Sequence, residues 1–252
     1  MKKRAFLCVV VLASVGTAWL LAQPAGDSLV DGFKTVEVAS VSDAIEQLYG
    51  QRAYMSHEMR PLGVTKFAGT AVTVQLKREE HKEGSAASQG MLDAIDAAAP
   101  GSVYVMVLDN GAGPAASSWS NAGIDYAGIG GLMATAMKYR GFAGAVIDAS
   151  VRDTPQIRKL QFPVFSRGVA PSTTINHFRV TGVNVPVTCA GGQVNPGDII
   201  TADEDGVAVV PAARAAEILK KSQELDDTEH RMIPFIEKFK SIKEAVKQFG
   251  RI

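Results

Sequence analysis

The stretch GAVIDASVRDTPQIR, residues 144–158, decides how this chain folds. Its apolar run, Ala145-Val146-Ile147, has the form of a buried strand. The run ends at Asp148, and four residues later an Arg-Asp pair appears, Arg152-Asp153. Thr154 then begins a short helix to residue 160, with Pro155 in its first turn, where a missing N–H is tolerated. Before the strand, GGLMATAMKYR (130–140) reads as a helix ended by Gly141. After it, FPVFSRG (162–168) reads as another strand. Helix, strand, helix, strand in alternation predicts an α/β fold with a partly parallel sheet.

Working outward, 41–48 reads as a short helix, capped by Ser42 or Asp43, with Ala44, Ile45 and Leu48 on its apolar face. KFAGTAVTVQL (66–76) is strand-like, and Gly69 marks a close backbone approach. KREEHKEG (77–84) reads as a solvated loop. Residues 88–99 form a helix stopped by Pro100-Gly101, and SVYVMVLDNG (102–111) a buried strand ending in a turn. Pro100-Gly101 and Pro196-Gly197 each precede a strand and suit the centre of a type II turn. From Val180 the pattern changes to short strands and turns. Pro211 opens an Ala-rich helix to about Leu225, and Ser241 with Glu244 forms a capping box for a last helix ending at Gly250.

Charge is balanced, with 26 Lys+Arg against 26 Asp+Glu, which counts against a nucleic-acid binder. Aromatics at 7% beside 24 glycines favour close packing of small residues over a stacking surface for bases or sugars. The N-terminus has a basic head, Lys2-Lys3-Arg4, an apolar run to Ala22 and a small, polar stretch after it, a secretory signal pattern. Ser14, Gly16 and Thr17 dilute the run, and no basic stop-transfer cluster follows. The expectation is a leader over residues 1–25 that is cleaved and not kept as a membrane anchor. Residues 26–252 then form a single exported domain, periplasmic or secreted, with no stable membrane association. Cys189 is the only cysteine beyond the leader, so no internal disulfide is expected.

Most catalytic signatures are missing: no GxxxxGK[ST], no completed GxGxxG, no HExxH, CxxC or GxSxG. His57, His81, His177 and His230 are scattered and read as solvated or structural. Cys189 reads as a small buried hydrophobe. A cation held by carboxylate oxygen stays open, because Mg²⁺ binds through one or two carboxylates and keeps several waters. Arg152-Asp153 has two readings. In one, the charges form a surface ion pair or cap the helix at Thr154. In the other, Gly130-Gly131 opens a helix with free N–H groups for an anion, Arg152 grips a carboxylate and Asp153 binds a hard cation, so that together they hold a 2-oxo acid.

The stretches FAGTAVTV, GGLMATAMKYRGFAGAVIDASVRD, FPVFSRGVAPS and VNPGDIITADEDGVAVVP resemble, in order and spacing, the RraA-like family. The likeness runs from about residue 39 to 250. That family includes metal-dependent 4-hydroxy-4-methyl-2-oxoglutarate / 4-carboxy-4-hydroxy-2-oxoadipate aldolases and ribonuclease-inhibiting regulators. The resemblance implies an α/β swivelling β/β/α domain with C-terminal helices, and a ring-like homotrimer with sites between subunits. It implies a lyase that releases pyruvate from a small 2-oxo acid substrate and also decarboxylates oxaloacetate. Asp153 would be the direct ligand of Mg²⁺ or Mn²⁺, and Arg152 would contact the pyruvate moiety. The amides of Gly131, Leu132 and Met133, after Gly130, would hold its carboxylate. A neighbouring subunit would add a glutamate from its C-terminal helices, with Glu229 the best match and Glu224 second. The regulators replace the aspartate by an uncharged residue, so Asp153 favours the enzyme branch over a non-catalytic binding or regulatory protein.

Three positions depart from the aldolase pattern. Gly131 stands where the aldolases carry an acidic residue that orders metal-bound water, Asp148-Ala149 replaces Asp-Gly, and Pro100-Gly101-Ser102 replaces Pro-Gly-Asp. A phosphohistidine swivelling domain, suggested by NPGDIITADEDG, would need a histidine at a helix N-terminus near a glycine-rich loop, and no histidine has that setting.

Overall fold

The computed structural model describes residues 26–109 and 125–251. The expected leader, and the turn expected at 110–111, lie outside the described residues. In chain order the first half contains α1 (Gly26–Phe33), α2 (Val38–Tyr49), β1 (Arg60–Pro61), β2 (Phe67–Arg78), α3 (Gln89–Ala97), β3 (Ser102–Asp109) and β4 (Ala127–Ile129). Then come α4 (Gly131–Tyr139), β5 (Gly144–Val151), α5 (Thr154–Leu160), β6 (Val164–Val169) and β7 (Phe178–Val183). The chain continues through β8 (Val187–Cys189), β9 (Gly192–Val194), β10 (Ile199–Asp203), β11 (Gly206–Val210), α6 (Ala215–Phe239) and α7 (Ile242–Phe249).

Among the described residues one mixed sheet of nine strands runs β1-β6-β5-β3-β2-β10-β11, with β4 also on β5 and β7 on β2. The links β2–β3, β3–β5, β5–β6 and β4–β5 are parallel. The flanking pairs β1–β6, β2–β7, β2–β10 and β10–β11 are antiparallel. The partly parallel α/β expectation is met.

β5 is buried along its whole length, as its apolar run requires. Ala145, Ile147, Ala149 and Val151 face one cluster, shared with Met91 and Ile95 of α3, Met137 of α4 and Ile157 of α5. Val146 faces the other, with Phe67, Phe165, Val187 and Cys189. A third cluster lies over β10 and β11, where α1, α2 and α6 contribute Phe33, Ile45 and Ile218. Both Pro-Gly turns form, with Gly101 at φ 84° and Gly197 at φ 86°. Each closes with an i→i+3 bond, Ser102 N to Ala99 O at 3.3 Å and Asp198 N to Asn195 O at 3.1 Å. Gly69 is needed for the close approach expected of it: a Cβ there would stand 2.2 Å from the Gly101 carbonyl oxygen.

Besides α2, which starts at Val38 ahead of the expected Ser42 or Asp43 cap, three stretches differ from expectation. The charged run 77–84 is no simple solvated loop: β2 extends to Arg78, and side chains of β7 and its approach bind the acids that follow. Arg179 bonds Glu79 at 3.0 Å and Glu83 at 2.6 Å, and His177 Nδ1 lies 2.7 Å from Glu80. Hydrogen bonds from these partners hold the Glu80 and Glu83 carboxyls below the usual range. Second, the helix expected to end near Leu225 continues to Phe239 through Pro234. Beyond Leu225 its apolar stripe thins, and the last turns are secured instead by Phe235, which packs on Phe239 and on Phe249 of α7. Third, α1 was not anticipated; it buries Phe33 in the third cluster. The cap of α7 is as expected, with Ser241 Oγ accepting the Glu244 N–H at 3.2 Å. No helix among the described residues is long and apolar enough to cross a membrane.

One core group is energetically out of place. The Tyr104 hydroxyl is buried with no hydrogen-bond partner among the described residues, and burial pushes its pKa up. A buried unsatisfied group costs about 1–3 kcal/mol. Tyr104→Phe is therefore expected to raise the thermal midpoint, gaining about 1 kcal/mol. A lower midpoint by scanning calorimetry would show that the hydroxyl is stabilising.

Candidate active site

The chain leaves β5 at Val151, and the Arg152 N–H donates to Ile129 O of β4 at 3.1 Å. At Asp153 it turns through a left-handed conformation, φ 57° and ψ 35°. Aspartate is among the few residues that adopt this region routinely. The turn swings the carboxylate away from α5, whose N-terminus receives no side-chain cap. Asp153 Oδ2 instead accepts the N–H of Gly131, the first residue of α4, at 2.9 Å. A negative group suits that end of a helix, where the N–H groups have no intrahelical acceptor and the dipole is positive.

Arg152 Nε stands 3.9 Å from Asp153 Oδ2, and the two side chains are 41% and 50% exposed. An exposed pair at that distance contributes little to stability. The two charges therefore sit side by side as a loose, solvent-exposed pair. The guanidinium makes a further bond, Nη1 to the Ser172 carbonyl oxygen at 3.3 Å.

The glycines leave room for this arrangement. A Cβ on Gly130 would lie 2.7 Å from Asp153 Oδ2 and 3.1 Å from Arg152 Nε. A Cβ on Gly131 would meet Gln156 Oε1 at 2.4 Å. The Gln156 carboxamide thus occupies the space that a side chain at 131 would enter. Its Nε2 donates to Thr135 Oγ1 at 3.1 Å, and that hydroxyl donates to Gly131 O at 2.6 Å. Sequence reading found the missing acid at 131 but not Gln156. The available signal was its place in the first turn of α5, three residues after Asp153.

The structure brings Arg152, Asp153, Gly130 and Gly131 together. The Gly131 amide, expected to be open to a substrate carboxylate, is engaged by Asp153. The α4 ladder starts with Ala134 N to Gly130 O at 3.1 Å, so the amides of Leu132 and Met133 precede it. Glu229 is placed elsewhere within the chain. It accepts from Arg251 Nε at 2.9 Å, and Arg251 also bonds Asp43 at 2.9 Å. Its helix, α6, packs on α1, α2 and α7, whereas α4 packs on α5 and α3. Glu224 is exposed on the same helix.

Asp148, a further charge in the opening stretch, serves the core. Its Oδ1 accepts from Arg167 Nη1 at 3.0 Å and its Oδ2 from the Ala190 N–H at 2.7 Å, and Arg167 reaches Glu58 at 3.3 Å. Burial, then the Asp148 charge, pushes the Cys189 thiol up, so it is a poor nucleophile.

Among the described residues no three His, Cys, Asp or Glu side chains gather around a common point. Among the described residues the donor set is one half-exposed carboxylate, with Oδ2 on Gly131 and Oδ1 accepting no hydrogen bond. That fits Mg²⁺ or Mn²⁺ carrying most of its waters. It does not fit a closed zinc site, which needs four protein ligands.

The comparisons agree with this architecture. The family model described as RraA-like, Aldolase/RraA, matches residues 38–209. A protein of Halalkalibacterium halodurans named "Putative 4-hydroxy-4-methyl-2-oxoglutarate aldolase" is 31% identical over 208 residues, covering 80% of this chain and 86% of that one. A protein of the same name from Deinococcus radiodurans is 29% identical over 150 residues, covering 60% of this chain and 81% of its own. Among solved structures, an uncharacterized protein from Pseudomonas syringae superposes with TM-score 0.72 at 26% identity, covering 87% of this chain and 96% of that one. Streptomyces coelicolor RraAS2, described as an unusual member of the RNase ES inhibitor RraA protein family, gives TM-score 0.67 at 25% identity, covering 81% and 94%. With the matching fold, and the family model spanning most of the described sheet, the chain belongs to the RraA-like family.

Proposed function

We propose that this protein is a divalent-metal-dependent lyase of the pyruvate aldolase kind. It cleaves 4-hydroxy-2-oxo dicarboxylates such as 4-hydroxy-4-methyl-2-oxoglutarate to pyruvate and a second 2-oxo acid, and it decarboxylates oxaloacetate. One observation carries the reading: Arg152 and Asp153 stand side by side at the start of α4, loosely joined and half exposed, with one carboxylate oxygen fixed by Gly131.

In this reading Arg152 binds the substrate carboxylate, for which its planar fork is suited. The amides of Leu132 and Met133 add donors at the positive end of α4. Asp153 holds Mg²⁺ or Mn²⁺, which when bound supplies Lewis-acid polarisation of the 2-oxo group. In the cleavage the C4 hydroxyl loses its proton, the C3–C4 bond breaks toward C2, and C3 takes up a proton to give pyruvate. Gln156, in the space of the missing acid, orients hydrogen bonds but takes no proton, so proton transfer falls to water.

The proposal includes a homotrimer in which a C-terminal glutamate, Glu229 or Glu224, completes a neighbour's site. Leu132 and Tyr139, seven residues apart on α4, are 84% and 82% exposed, as expected of a face that an assembly covers. It also includes export of residues 26–252 after removal of the leader, on the strength of the N-terminal pattern. A second reading, a non-catalytic binding or regulatory protein, is favoured by one fact: neither Gly131 nor Gln156 supplies a carboxylate.

The test is pyruvate release by the leaderless protein from 4-hydroxy-4-methyl-2-oxoglutarate and then oxaloacetate, with Mg²⁺ and with EDTA. Release that EDTA abolishes is the expected result. No pyruvate from either substrate, from a protein shown to be folded, gives the second reading.

A further inference from the structure

We infer that Ser172 is a positioning residue for Arg152, an inference that rests on Arg152 being the substrate-carboxylate group of the proposed reaction. Arg152 is half exposed, and its Asp153 contact is long, so something else must set the plane of the guanidinium. That group is the Ser172 carbonyl, 3.3 Å from Nη1. Arginine has five N–H donors in a fixed fork. Bonding one of them to a fixed carbonyl leaves a defined set for a ligand.

The carbonyl is fixed by the serine's own side chain. Ser172 Oγ donates to the Asp125 carbonyl oxygen and accepts the Ala127 N–H at 3.3 Å. β4 is only three residues long and, among the described residues, pairs with β5 alone. The hydroxyl therefore supplies β4 with a second set of bonds, on residues 125–127. Two residues before, the Ala170 N–H donates to Val151 O at 3.1 Å, tying the same segment to the end of β5. β4 leads directly into Gly130 and Gly131. One hydroxyl thus locks the segment that holds Arg152 to the strand that delivers the start of α4. Replacing it leaves the carbonyl in place chemically but unties it from β4.

The experiment compares Ser172→Ala and Ser172→Thr with the unaltered protein. Steady-state kinetics with 4-hydroxy-4-methyl-2-oxoglutarate give KM and kcat, and calorimetry gives Mn²⁺ affinity. Ser172→Ala is expected to raise KM about tenfold, the effect of losing a group's fixed orientation, with kcat within about threefold. Mn²⁺ affinity should be unchanged, and Ser172→Thr, which keeps the hydroxyl, should restore KM. An unchanged KM in Ser172→Ala overturns the inference. So does failure of that variant to fold, or a parallel loss of Mn²⁺ affinity, since either assigns a purely structural role. If the unaltered protein releases no pyruvate, the reading of function falls by itself. Crystal structures then decide: a guanidinium detached from residue 172 in Ser172→Ala supports the positioning role, and an unmoved one overturns it.

Discussion

Asp153→Asn is expected to abolish metal-dependent pyruvate release, by about a thousandfold or more, because the Lewis-acid contribution is worth several kcal/mol. The fold should be untouched. Asparagine is as much at home in the left-handed region as aspartate. Its side-chain oxygen can still accept the Gly131 N–H, now held at 2.9 Å by Asp153 Oδ2. What it lacks is the negative charge that a hard cation requires. The measurements are pyruvate release, Mn²⁺ binding by calorimetry and the thermal midpoint. Lost binding with an unchanged midpoint is the expected pattern. Activity above about a tenth of the original would remove Asp153 from the metal role.

The second large effect concerns a backbone atom. Gly131 N–H is the donor that fixes Asp153, and a proline there deletes it. Position 131 is the first residue of α4, where proline is otherwise well accepted. Since any side chain at 131 meets Gln156, the comparison needs a shared background, Gly131→Pro/Gln156→Ala against Gly131→Ala/Gln156→Ala. The two differ in the N–H and in a ring carbon that points at Asp153 Oδ2 in its place. Loss of an outer-shell hydrogen bond to a metal ligand typically lowers affinity about 10–100-fold. The proline variant should show a loss of that size in Mn²⁺ affinity while the alanine variant retains binding. Equal affinity in the two would mean that Asp153 needs no orienting donor.

What the sequence made legible follows from how local each signal is. The strand opening at Gly144, expected to Asp148 and observed to Val151, the helix with Pro155 in its first turn, the two Pro-Gly turns and the Ser241 cap depend on neighbours within a few residues. The pairing of Arg152-Asp153 with Gly130-Gly131 could be guessed because the strand-turn-helix frame places the two at the same sheet end. The remainder depends on distant partners. α2 starts at Val38, not Val41, because Asp203 accepts the Val38 N–H at 2.8 Å from 165 positions away. The charged run at 77–84 could not be separated from an ordinary loop without knowing that Arg179 and His177 face it. Gln156 was invisible for the same reason, since its meaning comes from the glycine across the helix pair. The engagement of Gly131 by Asp153 needed the backbone angle at 153, which residue types alone do not give.

That angle also bears on how such a protein can change over generations. The left-handed turn at 153 narrows the set of residues that can replace aspartate without strain, and the residues most at ease there are glycine and asparagine. Both are uncharged. On the proposed reading of Asp153 as metal ligand, one substitution there silences the chemistry and keeps the scaffold whole, free to be recruited for binding alone. On that reading catalyst and scaffold are neighbours in sequence space, because the turn that aims the carboxylate does not require its charge.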